Sequence, residues 1–377
     1  KHMEELMARH GVDTVLGSIA TIMDHSEAEA RARVRAIPDG VYSAESWMDD
    51  DAIDIDQPVP IRVKVTARGD EMTVDLSGMS PQVKGFFNSG AGVACAQVAF
   101  KCLTMPSDHP INDGNFRPLK VILPPGTVVS ALHPSAMRVW MTYPMTVVDT
   151  IFKAVAQAIP DKTIAGHHAD LVIANVNGIH PRDGKLWIYL GGLIGGGWGA
   201  KHNEDGVNVT VCMNDGDTHN GPSEQVENKF PLLVKYYQLR EGSAGAGQFR
   251  GGLGAQAEVV ALTRVNYQTR IDRVNHPPWG LLGGHSALGN QVGMRKKDGS
   301  LTLFPGGKVN MRLEAGESYV LHSGGGGGFG PPAKRERSAV LRDLQMGYIS
   351  WQEADEVYGV QPTAQEIAQH DLIGGPA

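Results

Sequence analysis

Cysteine is scarce in this sequence. The three thiols, Cys95, Cys102 and Cys212, form no CxxC motif and no Cys/His pair at zinc-finger spacing. Neither a disulfide framework nor a zinc module is therefore expected, and a reducing cytoplasm is the expected setting. Long apolar runs are also missing. Nothing approaches the roughly 18 residues that span a bilayer, and the first residues carry no signal-peptide core, so no membrane association is expected. An excess of basic charge is lacking too: 34 Lys and Arg stand against 41 Asp and Glu, for a net charge of -7. They are spread along the chain with no stripe that would neutralise a phosphate backbone, so nucleic acid is not an expected partner. Several catalytic signatures are absent as well. No Gly-x-Ser-x-Gly elbow occurs, and no Gly-Lys-Ser/Thr closes a Walker loop. Counting from Asp215, the twelfth position of a would-be EF-hand holds Val226 instead of Glu.

What the sequence has in abundance is glycine, 47 of 377 residues, clustered at 191–199, 242–254 and 324–330. Such clusters require positive φ or close backbone approach. The order of patterns predicts an α+β fold with mixed and antiparallel sheets, flanking helices and a β-rich C-terminal part. Residues 1–35 read as one amphipathic helix. After the Pro38-Asp39-Gly40 turn and an acidic loop over 48–57, Ile61, Val63 and Val65 and then Met72, Val74 and Leu76 alternate around Arg68-Gly69-Asp70, predicting a hairpin. A helix over 88–104, a strand–turn–strand over 118–129 and a helix over 146–159 follow. Strands are predicted at 171–176, 186–190 and 207–213, and a short helix from Ser223 as its cap. Short antiparallel strands fill 232–321; a basic helix covers 333–346, and Ser350 to Glu353 form a capping box. Four units are expected: a helical segment with linker (1–58), an α+β core (59–231), a β-rich domain (232–332) and C-terminal helices (333–377).

Three segments could carry chemistry. The glycine loop 191–200 follows a predicted strand, so its N–H groups could cradle an oxyanion; Gly196, Gly197 and Trp198 are candidate substrate contacts and His202 a candidate catalytic group. The loop from Asp215 to Glu224 is dense in hydrogen-bonding groups. Its His219 is the candidate proton carrier, with Asp217 beside it and Asn220 and Glu224 as candidate substrate contacts; turn chemistry and helix capping are the plainer reading of the same residues. His167-His168-Ala169-Asp170 offers three weak candidate metal ligands, His167, His168 and Asp170.

The run from Asn214 to Glu227, Phe230-Pro231 and the segment Gly245–Gly254 resemble the hydantoinase B/oxoprolinase family. Gly195–Gly199, Asn112–Pro118, Pro278–Gly284 and Ser323–Gly330 extend the resemblance to nearly the whole chain. The resemblance implies a subunit of an ATP-dependent cyclic-amide hydrolase acting on a small molecule, or of an ATP-dependent ketone carboxylase, or a non-catalytic scaffold half of such a complex. It implies a hydantoinase A-type partner holding ATP with Mg. It also implies a divalent metal whose Asp and His ligands lie in an N-terminal half that precedes the opening helix, and that half is expected as a further partner. His167 to Asp170 is similar to the family's His-His-Ala-Asp ligand motif but stands in a different context.

Overall fold

The computed structural model describes residues 1–191, 194–213 and 218–369. The first layer is a four-stranded sheet in the order β1-β2-β3-β4, formed by Gly40–Met48, Val59–Arg68, Glu71–Asp75 and Leu119–Ile122. Strand β2 is built by alternation: Val59, Ile61, Val63, Val65 and Ala67 turn inward while Arg62 and Lys64 face out. The hairpin at Arg68-Gly69-Asp70 is present as expected, with Arg68 opposite Glu71. Two helices cover the inner face, α3 (Gly92–Thr104) and α4 (Thr142–Val155). Of the 14 residues of α4, all but Lys153 are buried.

The second layer pair is a sandwich. A five-stranded sheet has the order β11-β10-β13-β8-β7, and a four-stranded sheet the order β12-β9-β5-β6. The strands are β5 (Ala174–Ile179), β6 (Leu186–Gly191), β7 (Leu232–Leu239), β8 (Ala255–Ala261), β9 (Val265–Arg270), β10 (Gln291–Arg295), β11 (Leu301–Leu303), β12 (Lys308–Leu313) and β13 (Ser318–His322). All pairings in both sheets are antiparallel. The rings of Tyr267 and Tyr319, one from each sheet, stack at 5.1 Å in the middle of its core.

Several expectations need correction. The opening helix is two helices, α1 (His2–His10) and α2 (Val12–Val34), because Gly11 takes a φ of 83° between them. Strand β1 was hidden in the sequence since its outward Val41 is exposed and its inward places include Ser46; pairing with β2 over its full length fixes it. A strand at the end of 118–129 does not form. The adjacent Val128 and Val129 carbonyls instead accept from Ser89 and Gly92 at the start of α3. Residues 207–213 do not form the expected strand: the chain bends at Asn208 and Val209, where φ is 42°, and bonds to the glycine segments through Val207, Val209 and Thr210. Pro222, not Ser223, precedes α5 (Ser223–Lys229), and no side chain caps it. The basic helix is shorter than expected, α6 (Arg337–Gln345), while Ser350 does cap α7 (Trp351–Glu356) by accepting from the Glu353 N–H.

Sheet pairing also runs across the expected boundaries at 58 and 231. Strand β1 lies in the first sheet beside β2, and β5 pairs with β9, so hydrogen bonds cross both places. Two hydrophobic cores divide the chain differently, one built from 30–159 and one from 172–321.

Between these cores the glycine-rich segments run side by side without regular secondary structure. Gly197 donates to Gly324, Gly252 to Trp198, Gly326 to Gly252, Gly245 to Gly326 and Gly327 to Gly166. This spacing has no room for side chains: a Cβ on Gly197 would meet the Gly252 carbonyl oxygen at 1.9 Å, and one on Gly326 the Trp198 oxygen at 1.9 Å. Gly197→Ala is accordingly expected to lower stability by about 1–3 kcal/mol or more. Gly17, exposed within α2 with nothing within 4 Å of a Cβ, is the counterpart, and Gly17→Ala should raise stability by about 0.5–1 kcal/mol. Denaturant unfolding of the two variants checks both signs.

Candidate functional site

Where the two cores meet, four chain segments deliver charged side chains into the interior. Helix α4 supplies Thr146 and Asp149, the turn after it His167, His168 and Asp170, the end of β9 Asp272 and Arg273, and the end of β1 Asp49 and Asp50. Arg273 is fully buried. Its guanidinium donates to Asp149 Oδ2 at 3.2 Å and Thr146 Oγ1 at 3.3 Å and lies 4.8 Å from the Trp279 ring centre. The same Asp149 oxygen is 2.9 Å from His167 Nδ1 and accepts the His167 N–H. Beside this group Lys308 bonds Asp272 at 2.8 Å, with Asp50 at 3.4 Å. Asp49 accepts backbone N–H groups of Val274, Asn275 and His276.

The electrostatics follow from burial. Burial works against the charge on Lys308, but Asp272 and Asp49 overcome it and push its pKa up. Burial, then the neighbouring His167, holds the His168 ring well below the usual imidazole range. Asp170 is pushed up to about 7, by burial first and with Asp272 adding to it.

Two of the three sequence candidates come together here. Gly196 packs on the His168 ring, where a Cβ would meet Cγ at 2.3 Å, and the Trp198 ring lies 5.6 Å from that of His167. Three amides expected to contribute to an oxyanion cradle are already engaged. The Gly196, Gly197 and Trp198 N–H groups donate to Thr210, Gly324 and Val207, so these three amides serve packing and have nothing left for a ligand. Trp198 spends its indole N–H on the Val211 carbonyl. Asp149 fixes one side of His167, as in an acid–base pair, but Nε2 is buried without a partner and faces neither of the two cavities described below. Both ring nitrogens of His168 are orphaned in the same way. These orphans invite a metal, yet among the described residues no three His, Cys, Asp or Glu side chains converge on one point. The donor set therefore does not fit one.

The third candidate lies elsewhere. His219 and Asn220 line a cavity of about 380 Å³ on the sandwich, with Tyr189, Phe230 and Tyr237 among its walls. Asn220 donates to the Tyr237 hydroxyl at 3.1 Å. Asp217 lies outside the described residues. Glu224 is exposed in the first turn of α5 and does not line that cavity, and His202 is exposed beside the Lys201–Glu204 ion pair and lines neither cavity. A second cavity, of about 370 Å³, lies over the outer face of β5 and β9, reached by Asp170, Asn175, Gln268 and Arg270. Sequence reasoning missed Arg273, Asp272, Lys308 and Arg270. Their one signal, charges set within strand patterns, is shared by any solvated strand.

The chain belongs to the hydantoinase B/oxoprolinase family, whose model matches residues 1–332. It is 29% identical to the putative B subunit of a D-/L-hydantoinase from Pseudomonas sp. (strain NS671), over 97% of this chain and 63% of that protein. It is 31% identical to the beta subunit of caprolactamase from Pseudomonas jessenii, over 96% of this chain and 63% of that protein. The crystal structure of ATP-dependent caprolactamase from Pseudomonas jessenii matches with a TM-score of 0.82 at 26% identity, covering 98% of this chain and 66% of that one. The chain thus spans about three-fifths of the length of these curated relatives. Among the described residues no helix is long and apolar enough to cross a membrane.

The buried Asp170 gives a pH test. With a pKa of about 7 in the fold against an ordinary value of 3.8, the folded state holds the extra proton between those limits. Stability contributed by this group therefore falls as pH rises through that window, by at most about 1.4 kcal/mol per unit. The difference in unfolding free energy between the native chain and Asp170→Asn should change steadily between about pH 5 and pH 7. A difference that stays constant would mean Asp170 is ionised throughout.

Proposed function

We propose that this chain works in an ATP-dependent hydrolase of cyclic amides, together with an ATP-binding subunit of hydantoinase A type. The observation that carries the reading is 31% identity to a caprolactamase subunit over 96% of the chain, joined to a matching fold. The chemistry explains the need for ATP. A lactam is resonance-stabilised, and phosphorylating its oxygen gives water a leaving group to displace. ATP with Mg is assigned to the partner. The divalent metal is assigned to the complete enzyme and not to His167, His168 and Asp170, whose nitrogens and oxygens do not converge.

Within this chain, the role of proton carrier falls to His219. It lines a cavity with apolar and aromatic walls, and Asn220 and Tyr237 supply hydrogen-bonding groups beside it. Asp217, in the same loop, is its proposed partner in sequence. His202 has no comparable surroundings.

The test is an assay of the intact assembly with cyclic amides, with and without ATP and bicarbonate. ATP-dependent ring opening that ignores bicarbonate is the expected result; turnover that requires bicarbonate and a ketone would replace the reading with a carboxylase. His219→Ala should lower kcat by about 100-fold or more without loss of assembly, and His202→Ala should leave it unchanged. Unaltered turnover in His219→Ala would remove the proton-transfer role, and lost assembly would make the loop a scaffold.

A further inference from the structure

The outer strand of a sheet offers a row of unpaired N–H and C=O groups to any chain that reaches it, and folds blunt such edges with charge, shortness or a bulge. Among the described residues the outer strands of the three sheets are β1, β4, β7, β11, β12 and β6. All but the last are blunted. Strand β11 is three residues long, β4 is four residues with Lys120, and β12 carries Lys308 and Arg312. Strand β1 carries Glu45, and β7 carries Lys235 beside a register shift between Val234 and Tyr236. Strand β6, Leu186-Trp187-Ile188-Tyr189-Leu190-Gly191, holds no charge and no proline.

Which backbone groups of β6 face outward follows from the ladder. Where β5 turns into β6, the His180 N–H donates to the Lys185 carbonyl at 2.7 Å. Bonded partners in an antiparallel pair recur at every second residue, so Gly178 with Trp187, Val176 with Tyr189 and Ala174 with Gly191 are the bonded pairs. The far side of the sheet agrees. Ile271 donates to Gly307, which turns the odd-numbered residues of β9 toward β12 and the even-numbered ones toward β5. Leu186, Ile188 and Leu190 therefore point their N–H and C=O groups away from β5, and among the described residues none of these groups has a partner. The same three side chains are exposed, at 66%, 57% and 65%, whereas Trp187 is buried. The open edge and the apolar surface coincide.

This strand matches itself. Laid antiparallel across a two-fold axis through Ile188, it brings Ile188 opposite Ile188 and Leu186 opposite Leu190. Outward-facing residues then meet outward-facing residues, and about six ladder hydrogen bonds form. Directly opposed side chains stand on the same face, which joins the exposed aliphatic side chains of one copy to those of the other. Ile179 of β5, opposite Leu186 and itself exposed, extends the patch. Lys185, just ahead of the strand, falls opposite Gly191, so no like charges meet. A register shifted by one residue would set the outward groups against residues already bonded to β5.

We propose that β6 pairs with β6 of a second copy of this chain, so that the four-stranded sheet of one copy continues into that of the other. A strand from a different protein would have to bring aliphatic side chains in the same alternation, free of charge, on the residues whose backbone faces outward. The second copy brings all of this by symmetry. The assignment does not depend on which reaction the assembly catalyses.

Ile188→Cys in the intact assembly, under mild oxidation, should form a disulfide between two copies, because the pairing places the two 188 positions about 5.5 Å apart, within a disulfide's reach. Leu186→Cys, which faces Leu190, should not. The native chain, with Cys95 and Cys212 buried and Cys102 exposed, is the control. Native mass spectrometry should count two copies per particle in the native protein and one in Ile188→Lys, where two ammonium groups would oppose each other. Leu186→Lys combined with Leu190→Glu, which this register sets against each other, should keep two. Position 188 is exposed, so folding is not at stake there. No linked species from Ile188→Cys, or two copies retained in Ile188→Lys, would overturn the proposal. A different subunit linked to position 188 would also overturn it and give the edge to that subunit.

Discussion

Arg273 has no access to water, and a guanidinium in that position is tolerated only where a counter-charge and hydrogen-bond acceptors meet it. Asp149 and Thr146 on α4 meet its Nη2 from the first core, Trp279 lies beside it from the glycine-rich side, and Nε and Nη1 are buried without a partner. The ion pair therefore fixes how the end of β9 sits against α4. Lys308, Asp272, Asp50 and Asp49 repeat the device next to it, joining the ends of β12, β9 and β1. Removing one member of such a buried pair leaves an uncompensated charge, at about 3–5 kcal/mol. The two cores are thus held in one relative position by a polar layer with a defined geometry, which apolar contact alone would specify less sharply.

The glycine lattice follows from the same constraint. With the cores joined by short polar contacts, the segments between them must pass through a narrow space. Trp198, Gly252 and Gly326 hydrogen-bond in succession there with backbones too close for a Cβ. This accounts for a glycine content that binding a phosphate would not require. It also explains why His167 and His168 are buried. His168 lies under Gly196, the one kind of residue that allows a ring at that distance, and its desolvated ring is kept neutral.

Much of the architecture was legible in the sequence because it rests on local periodicity. The hairpin of β2 and β3, helix α4 and the antiparallel strands of the second half all carry alternation or helical spacing in their own residues. What was not legible depends on partners distant in sequence. Strand β1 is defined by β2, and the bent segment at 207–210, with Val209 at a φ of 42°, is held by Trp198, Leu253 and Gly196. That β5 and β6 complete a sheet with β9 and β12, on the far side of residue 231, was likewise not legible. The same limit applied to the site. The glycine loop and the His-His-Ala-Asp motif could each be singled out, but only the fold shows that they pack on one another, and that the loop amides at Gly196, Gly197 and Trp198 are already engaged.

The position of the second cavity has a common cause with these features. Antiparallel strands leave one sheet face free when the other is committed to a sandwich, and β5 and β9 turn that free face toward the start of α4. The buried pairs lock α4 along its length at Thr146 and Asp149, one and two turns beyond Thr142. Its first turn then has neither a capping side chain nor a neighbouring carboxylate free to serve it, since Asp170 is engaged by the main chain. The polar layer that rigidifies the junction therefore also leaves unmet donors and acceptors at its rim. Rigid walls on both sides of that space mean that little ordering remains to be done when a molecule enters it.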